Sequence, residues 1–171
     1  MGVSPIQLIT AANAAMNGGV LVRPTLLRRQ PGAEIPRERV MAQRTSEQMR
    51  RLMRLVVERG SGRSAAAPGY LVGGKTGTSD KNAHGRYRQN ARMSLFVGGF
   101  PITDPRYAIL VIVDEPQPIP SSHGFATGGV VAAPVVSRLV PRLAALWNIA
   151  PMDETQPTVR EQLFINVAAR R

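Results

Sequence analysis

Apolar positions along this chain change their period several times, and each change marks an element. Ile9, Ala12 and Met16 recur at helical spacing behind Ser4-Pro5-Ile6-Gln7. Ser4 fits an N-cap, Pro5 the first helical position, and Gln7 completes a capping box, so a helix is predicted from about Pro5 to Met16. Gly18-Gly19 stops it, because positive φ is cheap there. Val20, Leu21 and Val22 end at Pro24 and predict only a brief or edge strand. Residues 28–39, with Pro31 and Pro36, read as a connecting loop.

A second helix is marked by Thr45 with Gln48 three residues on, then Met49, Leu52, Met53 and Val56, with a stop at Gly60. Arg50, Arg51 and Arg54 fall elsewhere on its circumference and are expected to form a solvated face. Residues 61–69 read as a loop, and 70–72 as a strand entering Gly73-Gly74-Lys75-Thr76-Gly77-Thr78. The polar stretch 80–92, punctuated by Gly85, predicts a long excursion between strands. Residues 95–100 and 107–113 are the best strand candidates, and their short connection favours an antiparallel hairpin. The second of them is apolar on both faces, which predicts a place inside a covered sheet. A final long helix should carry Val131, Val135, Leu139, Leu143 and Leu146 on its packed side, kinked at Pro141. Residues 151–171 form a tail, polar at first, in which 158–167 predict a short helix starting at Thr158 and Glu161. The fold class is α+β, an antiparallel sheet covered by helices, without repeats or a second domain.

The composition is that of a globular chain: 43% of the 171 residues are hydrophobic. No apolar stretch approaches the roughly 18–20 residues of a membrane span, and the start lacks the basic and apolar regions of a signal peptide. The formal net charge is +11, and 20 of the 22 basic residues are Arg, against Lys75 and Lys81 alone. The arginines are spread from Arg23 to Arg171 with few aromatics between them, which argues against nucleic acid as a partner. Cysteine is absent, so thiolate and disulfide chemistry are excluded. His84 and His123 are the only histidines, and neither has the spacing of a catalytic base or a zinc site. Asp114-Glu115 reads as a solvated strand end, and Met41, Met49 and Met53 as core filler.

The string that carries chemistry is Lys75-Thr76-Gly77-Thr78. An ammonium and hydroxyls on an edge strand, beside a glycine that admits a ligand close to the backbone, suit an extended anionic peptide. The strand's free N–H and C=O groups would bond the ligand main chain while Lys75 and a threonine meet its carboxylate. The 80–92 excursion follows directly and could line the same groove.

With that string stand Ser4-Pro5-Ile6-Gln7, Asn17-Gly18-Gly19, Gly60-Ser61-Gly62, Pro68-Gly69-Tyr70, Phe96-Val97-Gly98 and Gly128-Gly129-Val130-Val131-Ala132-Ala133-Pro134-Val135. In that order and at those intervals they resemble the C-terminal part of the transpeptidase domain of class B penicillin-binding proteins, of the septal D,D-transpeptidase type. The resemblance covers about residues 1–150. It implies an incomplete serine β-lactamase/penicillin-binding-type domain, belonging to an enzyme that cross-links stem peptides ending in D-Ala-D-Ala through an acyl-serine and is acylated by β-lactams. It implies no cofactor and no metal. Other division or wall-synthesis proteins are implied as partners, and the periplasmic face of the inner membrane as location, with the anchor outside this chain.

The family takes its machinery from Ser-x-x-Lys, Ser-x-Asn and Lys-Thr-Gly. Only the third occurs here: three residues before Lys75 stands Val72, before Lys81 Thr78, and no asparagine has a serine two residues earlier. The resemblance implies that Lys75 supplies charge at the substrate carboxylate, that Thr76 and Thr78 offer it hydroxyls, that Gly77 leaves room for the acyl donor, and that the Thr78 N–H is an oxyanion-hole donor. A chain without the nucleophile is expected to be inactive alone. The alternatives are a non-catalytic peptide- or wall-binding module, and a fragment of a serine β-lactamase or D,D-carboxypeptidase.

Overall fold

The computed structural model describes residues 2–83, 86–118, 120–122 and 124–163, with backbone alone at 82–83, 86–90 and 121. Helix α1, Pro5–Met16, begins as its residues dictate: Gln7 N–H donates to the Ser4 hydroxyl and the Gln7 side chain accepts from the Ser4 N–H. It stops at Gly18 and Gly19, whose φ values are 90° and 86°. The stop is also a close approach, since a Cβ at Gly19 would meet the Met41 carbonyl carbon at 2.7 Å. Strand β1, Val20–Val22, pairs antiparallel with β2, Arg37–Arg39. The polar β2 replaces part of the loop expected over 28–39, because an exposed edge partner needs no apolar residue.

Helix α2, Gln43–Arg59, starts two residues before Thr45, from Ala42 and without a side-chain cap. Ser46, fully buried, is the fastener instead: its hydroxyl donates to the Ala15 carbonyl at 2.8 Å and accepts from the Gly18 N–H at 2.9 Å. The expected solvated arginine face holds for Arg51, which is exposed, and is corrected for Arg54. Arg54 is buried, its guanidinium pairing with Glu58 and Glu154 at 2.8 Å each and donating to the Val72 carbonyl at 3.1 Å. Arg50 and Arg51 donate to the carbonyls of Thr103 and Gln162. A guanidinium has five N–H donors, so two carboxylates and a carbonyl can satisfy it away from water. Leu52, expected on the packed side, is 47% exposed.

Three strands form the main sheet in the order β3, β4, β5, namely Gly73–Ala83, Arg86–Phe100 and Tyr107–Asp114, all antiparallel. Residues 70–72 do not join β3. Leu71 has φ of 44°, its carbonyl accepts from the Ile102 N–H, and the Val72 carbonyl is taken by Arg54, so the chain turns into the strand here. The excursion expected over 80–92 is strand on both sides, with a register shift between Asp80 and Asn82. Met93 is the last β4 residue paired with β5, so beyond it, among the described residues, the ribbon has two strands and no third to alternate against. β5 was expected inside the sheet and lies at its edge; only Ile109 along it is buried, and β4 holds the centre.

Alternation along β4 separates two cores. Phe96 and Phe100, with Ile109 across from Gly98, face Val136, Val140 and Ala144 of a helix on one side of the sheet. Met16, Met53, Leu71 and Ile102 form a second cluster with Val159 and Leu163. The C-terminal helix is broken into α3, Gly128–Val131, and α4, Ala133–Leu146. Its buried side is Ala133, Val136, Val140 and Ala144; Leu139 and Leu146, expected to pack, are 37% and 75% exposed. The buried row Gly128, Ala132, Val136, Val140 and Ala144 runs at i,i+4 spacing through the break, so a stripe of small and β-branched residues packs rather than the leucines. Together, Gly128–Leu146 spans 19 residues at mean hydropathy 1.5, longer than any apolar stretch expected from the sequence. Arg138 and Arg142 lie within it, and its buried side packs in the cluster that contains Phe96. Helix α5, Pro157–Leu163, is the described part of the helix expected over 158–167; residues 164–167 lie outside the described residues.

Candidate functional site at the β3 edge

Register on β4 determines which way each residue of the lysine string faces. Lys75 lies opposite Val97, Thr76 opposite Phe96, Gly77 opposite Leu95 and Thr78 opposite Ser94. Thr76 and Thr78 therefore share the side that carries Phe96, and Lys75 and Gly77 the other. Among the described residues, β3 pairs only with β4, so its outer edge has no strand partner.

The start of α3 sits against the threonine side. The Gly128 N–H donates to the Thr78 hydroxyl at 3.1 Å. Glycine is required there, because a Cβ would collide with the Leu95 carbonyl oxygen and lie 2.6 Å from the Gly77 carbonyl oxygen. The Ser94 hydroxyl, buried beneath, donates to the Ala126 carbonyl and holds the segment leading into α3. The loop after α2 reaches the same place: the Ser61 and Thr76 hydroxyls stand 2.6 Å apart, and the Ser61 carbonyl packs on Gly129.

Lys75 is exposed, and its ammonium donates to the Thr76 carbonyl at 2.6 Å. Thr78 is exposed and Thr76 and Gly77 are half-buried. The arrangement is an open strand edge with one cation and, beside it, hydroxyls already in contact with backbone and with Ser61. It can take an extended backbone along the edge and an anionic end group at the hydroxyls.

Other sequence-stated candidates separate from this site. Asp114 and Glu115 end β5 and are more than a solvated strand end: Lys81 meets them at 2.7 and 3.0 Å across β4. These bonds, that to Asp114 first, raise the Lys81 pKa above its ordinary 10.5. Arg92 pairs with Asp80 at 3.1 Å nearby. Met53 is in the core as expected, and Met49 packs against it. His84 and His123 lie outside the described residues. Ser61, Gly128 and Gly129 were visible in the sequence as short Gly-containing strings, but nothing in their spacing announces contact with residues 76 and 78.

The sequence profile described as the penicillin binding protein transpeptidase domain matches residues 1–140. The chain is 41% identical over 163 residues to a probable peptidoglycan D,D-transpeptidase FtsI of Caulobacter vibrioides, covering 90% of this chain and 28% of that protein. The transpeptidase domain of penicillin-binding protein 3 from Burkholderia pseudomallei superposes with TM-score 0.76 at 33% identity, over 91% of this chain and 45% of that one. Penicillin-binding protein 3 from Mycobacterium tuberculosis, complexed with ampicillin, does so with TM-score 0.74 at 25% identity, over 90% and 37%. The chain thus spans under a third of the Caulobacter relative's length.

Proposed function

The chain belongs to the transpeptidase-domain family of class B penicillin-binding proteins, matching the C-terminal portion of its relatives, and from that premise we propose that it is the strand-bearing segment of a peptidoglycan D,D-transpeptidase. Its role is to present one wall of the acyl-donor groove to a stem peptide ending in D-Ala-D-Ala. The peptide lies along the unpaired edge of β3, bonding main chain to main chain. Lys75 offsets the charge of the terminal carboxylate, and the hydroxyls of Thr76 and Thr78 donate to it. Gly77, with no side chain, lets the acyl donor approach the backbone. The Thr78 N–H would be one oxyanion donor, a contribution typically worth about 10²- to 10³-fold in rate.

The acylated serine and its lysine, and the Ser-x-Asn motif, do not occur within these 171 residues. The segment therefore acts with groups supplied from outside it, and alone it forms neither acyl-serine nor penicilloyl adduct. The same reading places the groove at the periplasmic face of the inner membrane, with other wall-synthesis proteins as neighbours.

The observation that carries the proposal is the open β3 edge, with the exposed Lys75 ammonium at the Thr76 carbonyl and the Thr76 and Thr78 hydroxyls on the opposite side of the strand. Exchanging this chain for the corresponding residues of its 41% identical relative tests it. The chimaera should be labelled by a fluorescent penicillin on a denaturing gel, and Lys75→Ala should lose at least tenfold of that labelling. The isolated chain should give no band. An unlabelled but folded chimaera, or a labelled isolated chain, contradicts the proposal.

A further inference from the structure

We propose that Ser61 is a positioning residue for the carboxylate end of the ligand, acting through Thr76; this rests on the groove reading above. A hydroxyl has one proton to give and two lone pairs to accept with. Thr78 accepts from the Gly128 N–H, a group that can only donate, so the Thr78 proton is left for another acceptor. Thr76 and Ser61 stand 2.6 Å apart and use one proton between them. When Ser61 donates, the Thr76 proton is free to point at the strand edge. Two hydroxyl protons then stand two residues apart on one side of an extended strand, roughly 6–7 Å along it. Both would then be available to one anionic group, with the Lys75 charge at the edge.

Ser61 is held for this task by backbone alone. It follows the end of α2, where the N–H groups of Gly60 and Gly62 both donate to the Val56 carbonyl, and its own carbonyl packs on Gly129. Its side chain is exposed and, among the described residues, Thr76 is its partner. A carboxylate accepts on both oxygens, whereas a terminal carboxamide brings an NH₂ that opposes a donating hydroxyl. Ser61 should therefore set how strongly the groove prefers an acid to an amide.

The test is the affinity of the full 171-residue chain for an N-acetylated peptide ending in D-Ala-D-Ala, as the free acid and as the C-terminal amide, by calorimetry. The parent chain should prefer the acid, and Thr76→Val should weaken that preference. Ser61→Ala should cut the acid-to-amide ratio about fivefold, the scale of one net hydrogen bond. Ser61→Cys should behave like Ser61→Ala, and Ser61→Thr should restore the ratio. An unchanged ratio in folded Ser61→Ala or Ser61→Cys, with Thr76→Val still deficient, overturns the role of Ser61 and leaves the groove reading standing. A parent chain that binds neither peptide, or both equally, overturns the two together.

Discussion

Arg54 donates in three directions, to Glu58 on its own helix, to Glu154 from the chain's far end, and to the Val72 carbonyl just ahead of β3. Glu154 in turn accepts from the Gly69 N–H at 2.9 Å, so one carboxylate ties α2, the approach to β3 and the C-terminal segment. Removing a buried cation's partner costs more than the pair itself contributes, because the charge stays desolvated. Glu154→Ala should lower unfolding stability by about 3 kcal/mol, at the low end for such pairs because Glu154 is partly hydrated. Urea unfolding measures it, and a loss below about 1 kcal/mol would mean that Arg54 finds water instead. This residue was the least legible in the sequence: one arginine among twenty, with a partner 100 positions away. The Ser4–Gln7 cap and the Gly18-Gly19 stop were legible because their partners lie within a few residues.

Among the elements, α4 separates what periodicity decides from what packing decides. The row Val131, Val135, Leu139 and Leu146 is apolar at helical spacing, yet the row that meets the sheet is Ala132, Val136, Val140 and Ala144. Val140 is fully buried against the core that contains Phe96. Val140→Ala should therefore destabilise the chain by about 2 kcal/mol, whereas Leu139→Ala, a larger truncation at a 37% exposed position, should stay within about 0.5 kcal/mol. Thermal and urea midpoints of the two variants decide between the faces, and the reverse order would mean that the Leu139 row is the packed one. The same limit explains the strands. The β4–β5 hairpin is legible from its apolar residues, while the ribbon beyond Met93, with no third strand among the described residues, carries no alternation that marks it as strand.

At the scale of the whole molecule, the sheet's far end depends on charge where its near end depends on apolar contact. Lys81 on β3 reaches over the central strand to Asp114 at the end of β5 and Glu115 just after it, and Arg92 on β4 pairs with Asp80. The Lys-Thr-Gly-Thr string itself was legible as an edge site, but its threonine-side support from Ser61 and Gly128 was not, since those contacts bring together segments 15 and 50 residues apart. The Lys81 clasp predicts how the sheet responds to alkali. The hydrogen bonds to Asp114 and Glu115 raise its folded pKa above 10.5, so the folded state holds the proton longer than the unfolded one. Its contribution to stability is then fully present below about pH 10.5 and fades as pH climbs through the raised folded value. The parent chain should lose urea resistance on this limb faster than Lys81→Met, which has no such proton to release, and the two curves should converge at high pH. The ion pairs are solvent-exposed, so moderate salt should shrink the difference between parent and variant at neutral pH. Parallel pH curves for parent and variant would show that Lys81 titrates alike in both states and that the clasp does not hold the sheet.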